Sequence, residues 1–141
     1  MKPFEEKYFK EMAFTRRQID KFTESAVKYL TIAEKSEFPE VKFQFSYDSL
    51  IKIGIALIAS QGYKVSSRAG HHAKILDKIS ETLKDEEISS IANKMRKKRN
   101  KDLYDGGIII SIKQAEEYLD FVEKVINNSQ DFLKSHFNKL L

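Results

Sequence analysis

Apolar residues recur along this chain every three or four positions, and the stretches that do so define a series of helices. Phe4, Tyr8, Phe9 and Met12 have that spacing, which predicts a short amphipathic helical segment at the start. Thr15 suits the N-cap of a first long helix running to about Ser36, with Ile19, Phe22, Ala26, Leu30 and Ala33 on one stripe. Phe38-Pro39 ends it. A second helix is expected from about Glu40 to Gln61, stopped by Gly62. Within it Leu50-Ile51 and the run Ile53 to Ala59 are apolar on nearly all sides, broken mainly by Lys52 and Gly54. A helix of that kind lies in the middle of a bundle or at a dimer seam.

Tyr63 to Gly70 reads as a loop. A third helix carries Ile75, Leu76, Ile79 and Leu83 on one face, and Asp85 can cap a fourth with Ile88, Ile91, Ala92 and Met95 inside. Asp105-Gly106-Gly107 breaks that helix. Ile108-Ile109-Ile110 fits an extended segment or a buried loop, which periodicity does not separate. Ser111 with Gln114 has capping-box spacing, and the last helix places Ala115, Leu119, Val122, Ile126, Leu133 and Phe137 in register. No repeat, linker or low-complexity tract interrupts residues 1–141. The expectation is one all-α domain, an up-and-down bundle of four to five helices.

Composition narrows the chemistry. The 141 residues are 41% hydrophobic and 33% charged, which is enough for one modest core and characteristic of folded soluble chains. Without cysteine there is no disulfide, thiolate metal site or cysteine nucleophile, a composition suited to a reducing cytoplasm. No apolar run approaches the roughly 18 residues that span a bilayer, and the acidic start from Met1 to Glu6 lacks a signal peptide's apolar stretch. The net charge of +4 leans mildly toward anionic partners.

That charge is concentrated. From Lys94 to Lys101, six of eight residues are cationic. Such a run is most often a solvated helix end, where cations also complement the helix dipole. Arg99 differs. At about 100° per residue it falls within the stripe of Ile88, Ile91, Ala92, Met95 and Leu103, with Asp102 at the stripe's edge. A guanidinium facing inward needs a partner. Spacing leaves two readings open: an internal bond to Asp102 or backbone carbonyls, or a groove or dimer interface aimed at phosphate.

Asn100 and Tyr104 lie one turn apart on a neighbouring face, able to bond or stack a base, though tyrosine also commonly caps bundle ends. In Arg68-Ala69-Gly70-His71-His72, His72 aligns with Ile75, Leu76 and Ile79 and reads as a core residue, while His71 points away. Adjacent histidines diverge on a helix, and neither HxxxH nor HExxH occurs, so no metal site is expected. His136 reads as surface. P-loop, nucleophile-elbow and Rossmann signatures are missing from the sequence, which makes P-loop nucleotide hydrolases and serine hydrolases poor candidates.

In order and spacing, these segments resemble the HEPN superfamily (higher eukaryotes and prokaryotes nucleotide-binding domain). The matching stretches are Tyr47-Asp48-Ser49-Leu50 through Gly62, Gly70 to Leu76, Arg99 to Asp105, and Gln114 to Tyr118, within residues 15–130. The resemblance implies a bundle that dimerises by pairing its motif-bearing helices. It also implies a site of Arg, a polar residue and a His four to six positions on, assembled around RNA. Arg99 and Asn100 fill the first two places, while Tyr104 stands where the His would be. An unperturbed tyrosine hydroxyl, with a pKa of about 10, is a poor proton carrier near neutrality. Either His71 supplies the imidazole, or RNA or a nucleotide is bound without being cut. The candidate catalytic residues are therefore Arg99, Asn100, Tyr104 and His71, with Arg68, Arg96, Lys97, Arg99 and Lys101 for binding RNA or nucleotide. By the same resemblance, the expected function is a cofactor-free toxin–antitoxin or defence protein, a homodimer beside a nucleotidyltransferase-type partner. It is either a metal-independent endoribonuclease or a non-catalytic interaction or antitoxin module.

Overall fold

The computed structural model describes residues 3–140; Met1, Lys2 and Leu141 lie outside the described residues. The protein is an all-α bundle of five helices with one small strand pair: β1 (Phe9–Glu11), α1 (Arg16–Lys35), α2 (Pro39–Ser60), β2 (Tyr63–Val65), α3 (His71–Leu83), α4 (Glu86–Tyr104) and α5 (Ile112–Lys139). The caps account for most boundaries. Thr15 and Gln18 form a reciprocal capping box at α1, and Asp85 accepts from the Glu87 amide at α4. At α5 the Ser111 hydroxyl accepts from the Gln114 amide. Pro39 occupies the first turn of α2, where a missing N–H costs nothing, so Phe38-Pro39 starts a helix as well as following one.

α2 is the axis. It touches each of the other four helices and β2, and it buries Phe43, Tyr47, Leu50, Ile53, Leu57 and Ile58 completely. Its buried polar residues are satisfied internally. The Lys42 ammonium donates to the Ala33 and Glu34 carbonyls at 2.9 and 3.2 Å and pairs with Glu116 at 3.3 Å. One cation thus closes the C-terminal end of α1 and ties it to α5. Ser49 donates to the Ala26 carbonyl at 2.7 Å, which sets α1 antiparallel to α2.

One connection departs from simple alternation. Tyr47 meets His72, Gly54 faces Ile75 and Ile79, and Gln61 bonds Thr82, so α3 travels along α2 in the same sense. The chain must first return along the bundle through residues 61–70, and part of that return is β2. Tyr63–Val65 is therefore a strand within the segment expected to be loop, paired antiparallel with β1 in the register Phe9↔Val65 and Glu11↔Tyr63. The same pairing overrides the helical spacing of Phe4 to Met12. Only one turn forms at Glu5, after which Phe9 is buried in the core and Phe4 stacks on Tyr63 at 4.0 Å. An isolated short helix is poorly stable alone, whereas the returning chain offers a ready edge. Ile108 to Ile110 forms no strand: Ile108 and Ile110 pack partly on the core and Ile109 is exposed.

Gly54 sets the closeness of α2 and α3. A Cβ there would overlap Cγ2 of Ile75 and sit 3.0 Å from Cδ1 of Ile79. Overpacking of this kind costs about 1–3 kcal/mol, against a gain in helix propensity of at most about 1 kcal/mol. Gly54→Ala is expected to lower the thermal midpoint by several degrees. An unchanged or raised midpoint would show that the close approach constrains nothing.

Candidate functional site

α3 and α4 form an antiparallel hairpin, with Ser89 donating to Asp77 and the Ser80 hydroxyl bonded at Asp85, so the start of α3 lies beside the end of α4. The return segment sets both at the level of Tyr47 on α2. Between them is an open cleft of about 410 Å³, lined by Arg68, His71, His72, Arg96, Arg99 and Asn100 among others. Six residues from two stretches of the chain, 68–72 and 96–100, meet here. Five were candidates from the sequence, and the sixth, His72, reads there as a core residue.

Arg99 lies at the floor. Its guanidinium is 5.4 Å from the centre of the Tyr47 ring, and its Nε is buried without a hydrogen-bond partner. The internal pair with Asp102 does not form. Asp102 accepts instead from the Lys98 ammonium at 3.0 Å and from the Ile109 amide at 3.3 Å, while Lys98 also donates to the Ile109 carbonyl at 2.7 Å. Asp102 and Lys98 thus clamp the loop after α4. Among the described residues, none of Arg68, Arg96 and Arg99 pairs with a carboxylate; Arg96 donates from Nε to Asn93 at 3.0 Å. The first turn of α3 adds to the same field. Gly70, in the left-handed conformation, provides no side-chain cap, so the amides at the start of α3 and its dipole border the cleft.

Two imidazoles complete it. His71 contacts the Arg68 carbonyl through Nδ1 at 2.6 Å, and the His71 and His72 ring centres lie 4.6 Å apart, so these neighbours do not diverge fully as helical spacing predicts. His72 Nδ1 is 2.9 Å from the Tyr47 hydroxyl. Burial, reinforced by His71, Arg99 and Arg96, lowers the His72 pKa to about 4, which keeps its ring neutral at pH 7. Burial likewise pushes the Tyr47 hydroxyl up to about 12, against the opposing pull of Arg99 and Arg96.

Other expected members stand apart. Lys97 and Lys101 are exposed and do not line the cleft, and Tyr104 is 95% exposed beyond it, with Leu103 also leaving the buried stripe at 51%. The α4 stripe ends at Arg99 because α4 runs past the end of the core. Sequence reasoning missed Tyr47, a polar-tipped residue within the apolar α2, which was the available signal. His136 is half-buried and stacks on Phe132.

Compared with family models, curated proteins and solved structures, the chain matches none of them. Among the described residues no helix is long and apolar enough to cross a membrane.

The depressed His72 pKa makes a stability prediction. The unfolded chain takes up a proton on this ring near pH 6.5, the folded one only near pH 4, so stability is full above about 6.5 and falls as pH drops toward 4. Because the ring is partly solvated, the loss is on the order of 1 kcal/mol. Urea unfolding at pH 7 and pH 4.5 should show a larger decrease for the wild-type protein than for His72→Gln. Equal decreases would sink this assignment.

Proposed function

We propose that the cleft between the start of α3 and the end of α4 binds the phosphodiester backbone of RNA, and that the protein is a metal-independent endoribonuclease of HEPN type. The observation that carries this reading is Arg99, a cation with its Nε buried and unpartnered beneath a cleft that Arg68 and Arg96 also line. Arg99 lines the cleft without a carboxylate partner, and a guanidinium suits phosphate through its planar fork. The dipole of α3, whose start has no side-chain cap, favours the same anion. The order of sequence segments that resembles HEPN proteins supports the reading independently. Cleavage would follow the 2′-hydroxyl route: the 2′-oxygen attacks phosphorus and the bond to the 5′-oxygen breaks. The products are a 2′,3′-cyclic phosphate and a 5′-hydroxyl. Imidazole in the cleft replaces the motif histidine, for which Tyr104 lies too far outside. The toxin–antitoxin or defence setting, in the cytoplasm and beside a nucleotidyltransferase-type protein, belongs to the same proposal and rests on the resemblance.

The homodimer belongs to it as well. Leu103 and Tyr104 at the end of α4, with Ile109 at 82% and Ile112 at 68% exposure, are exposed apolar side chains close in sequence, and we take them as one band. A second copy on this band would bring two clefts together. The same band favours the second reading, a non-catalytic interaction or antitoxin module that docks a protein there.

The two separate cleanly. Arg99→Ala should abolish cleavage of a defined RNA, weaken its binding, and reduce the slope of log affinity against log salt by about 0.7, the release expected for one phosphate. Wild-type protein that neither cuts nor binds RNA, with salt-insensitive protein association, would decide for the interaction module. In sedimentation, Tyr104→Glu combined with Ile109→Glu should convert dimer to monomer; an unchanged dimer would remove the band from the interface.

A further inference from the structure

His71 and His72 are adjacent in sequence, yet their hydrogen bonds impose opposite demands. A carbonyl oxygen only accepts, so the 2.6 Å contact from His71 Nδ1 to the Arg68 carbonyl requires the ring proton on Nδ1. Neutral His71 then has a bare Nε2. His72 is constrained from the other side. Tyr47 is fully enclosed, and among the described residues its hydroxyl has no partner except His72 Nδ1 at 2.9 Å. If that hydroxyl accepted from His72, its own proton would be buried without an acceptor, at a cost avoided when it donates. Nδ1 of His72 therefore accepts, and the ring proton sits on Nε2. The Arg99 guanidinium beside the Tyr47 ring disfavours a second proton on His72.

We propose that the cleft holds two neighbouring imidazoles in opposite tautomers, His71 as the proton acceptor and His72 as a neutral hydrogen-bond donor, with Tyr47 positioning the second. The tautomers stand on the protein alone; the catalytic roles rest on the ribonuclease reading. In that reaction the 2′-hydroxyl proton passes to His71 Nε2 as the 2′-oxygen bonds to phosphorus. His72 donates from Nε2–H to a non-bridging phosphate oxygen without transferring its proton. The 5′-oxygen leaves with a proton from water, and the His71 imidazolium returns its own to the resulting hydroxide. Tyr47 touches no reacting atom; it acts by fixing which nitrogen of His72 is free.

The test is long-range proton–nitrogen NMR of the full chain, labelled with 15N-histidine, at pH 7.5 and without RNA. Spectra of His71→Gln and His72→Gln assign the rings. His72 should show a protonated Nε2 and bare Nδ1, and His71 the reverse. In Tyr47→Phe, His72 should relax to a mixture of tautomers while His71 keeps its pattern. Identical tautomers at the two positions, or a His72 pattern unmoved by Tyr47→Phe, overturn the inference. For the roles, His71→Gln should lower single-turnover cleavage by at least about 100-fold, with RNA affinity changed less than about twofold. A loss of affinity matching the loss of rate would make His71 a binding residue and overturn its role. Wild-type protein that shows the two tautomers but cuts no RNA overturns the roles together with the ribonuclease reading and leaves the tautomer pair established.

Discussion

The packing of α3 along α2 at the Gly54 contact is the constraint on which the rest depends. Because glycine brings no Cβ, Ile75 and Ile79 seat directly against the α2 backbone, and the two helices run side by side in one direction. Two turns earlier on the same face of α2, Tyr47 then arrives at the first turn of α3 and bonds His72. The antiparallel hairpin of α3 and α4 delivers Arg96, Arg99 and Asn100 to the same level. A single close helix contact thus fixes three elements that share no local sequence. The extended return between α2 and α3 is its consequence, and the β1–β2 pair is what the return makes available to the N-terminal segment.

Burial and chemistry are coupled through Tyr47. The same enclosure that makes it a core residue raises its pKa and makes it a dependable hydroxyl donor. His72 lies at the boundary, close enough to the core to be kept neutral and close enough to the cleft to line it. Side chains locked by packing hold a functional geometry better than loop residues do. In this cleft the half-buried members, His71, His72, Arg96 and Arg99, come from α3 and α4, while Arg68 on the return segment and Asn100 on α4 are exposed.

Local signals were well expressed in the sequence. Thr15, Asp85 and Ser111 cap the helices they were expected to cap, and the stripes on α1 and α5 are buried nearly as their spacing requires. Those features depend on residues within a turn or two. What sequence left hidden was pairing across distance. Phe9 with Val65, and Tyr47 with His72, meet only because α2 and α3 run the same way, which no periodicity encodes. Arg99 was legible as a cation on an apolar stripe, but its neighbour Asp102 was not legible as a loop clamp. That role depends on Lys98 and the Ile109 backbone meeting it from two sides. The exposure of Leu103 was hidden for a related reason: a stripe extrapolated along α4 continues past the point where the core ends.

The engagement of Asp102 has an electrostatic consequence. A partly buried guanidinium ordinarily recruits a carboxylate, and the one at the right spacing on α4 is already committed to Lys98. Asp48, close enough to act on Tyr47, is bonded by Gln44 at 3.0 Å. What remains for Arg99 is the face of Tyr47, worth about 0.5–2 kcal/mol and unable to satisfy the Nε donor. Two further arginines and a helix start without a side-chain cap border the same place, and burial, reinforced by Arg99 and Arg96, holds His72 neutral. A core designed for stability alone would gain by replacing Arg99 with an apolar side chain to extend the Ile88–Met95 stripe. Arg99 is instead kept with its Nε donor unmatched by any group among the described residues, on the side of α4 that Arg68, Arg96 and the start of α3 share.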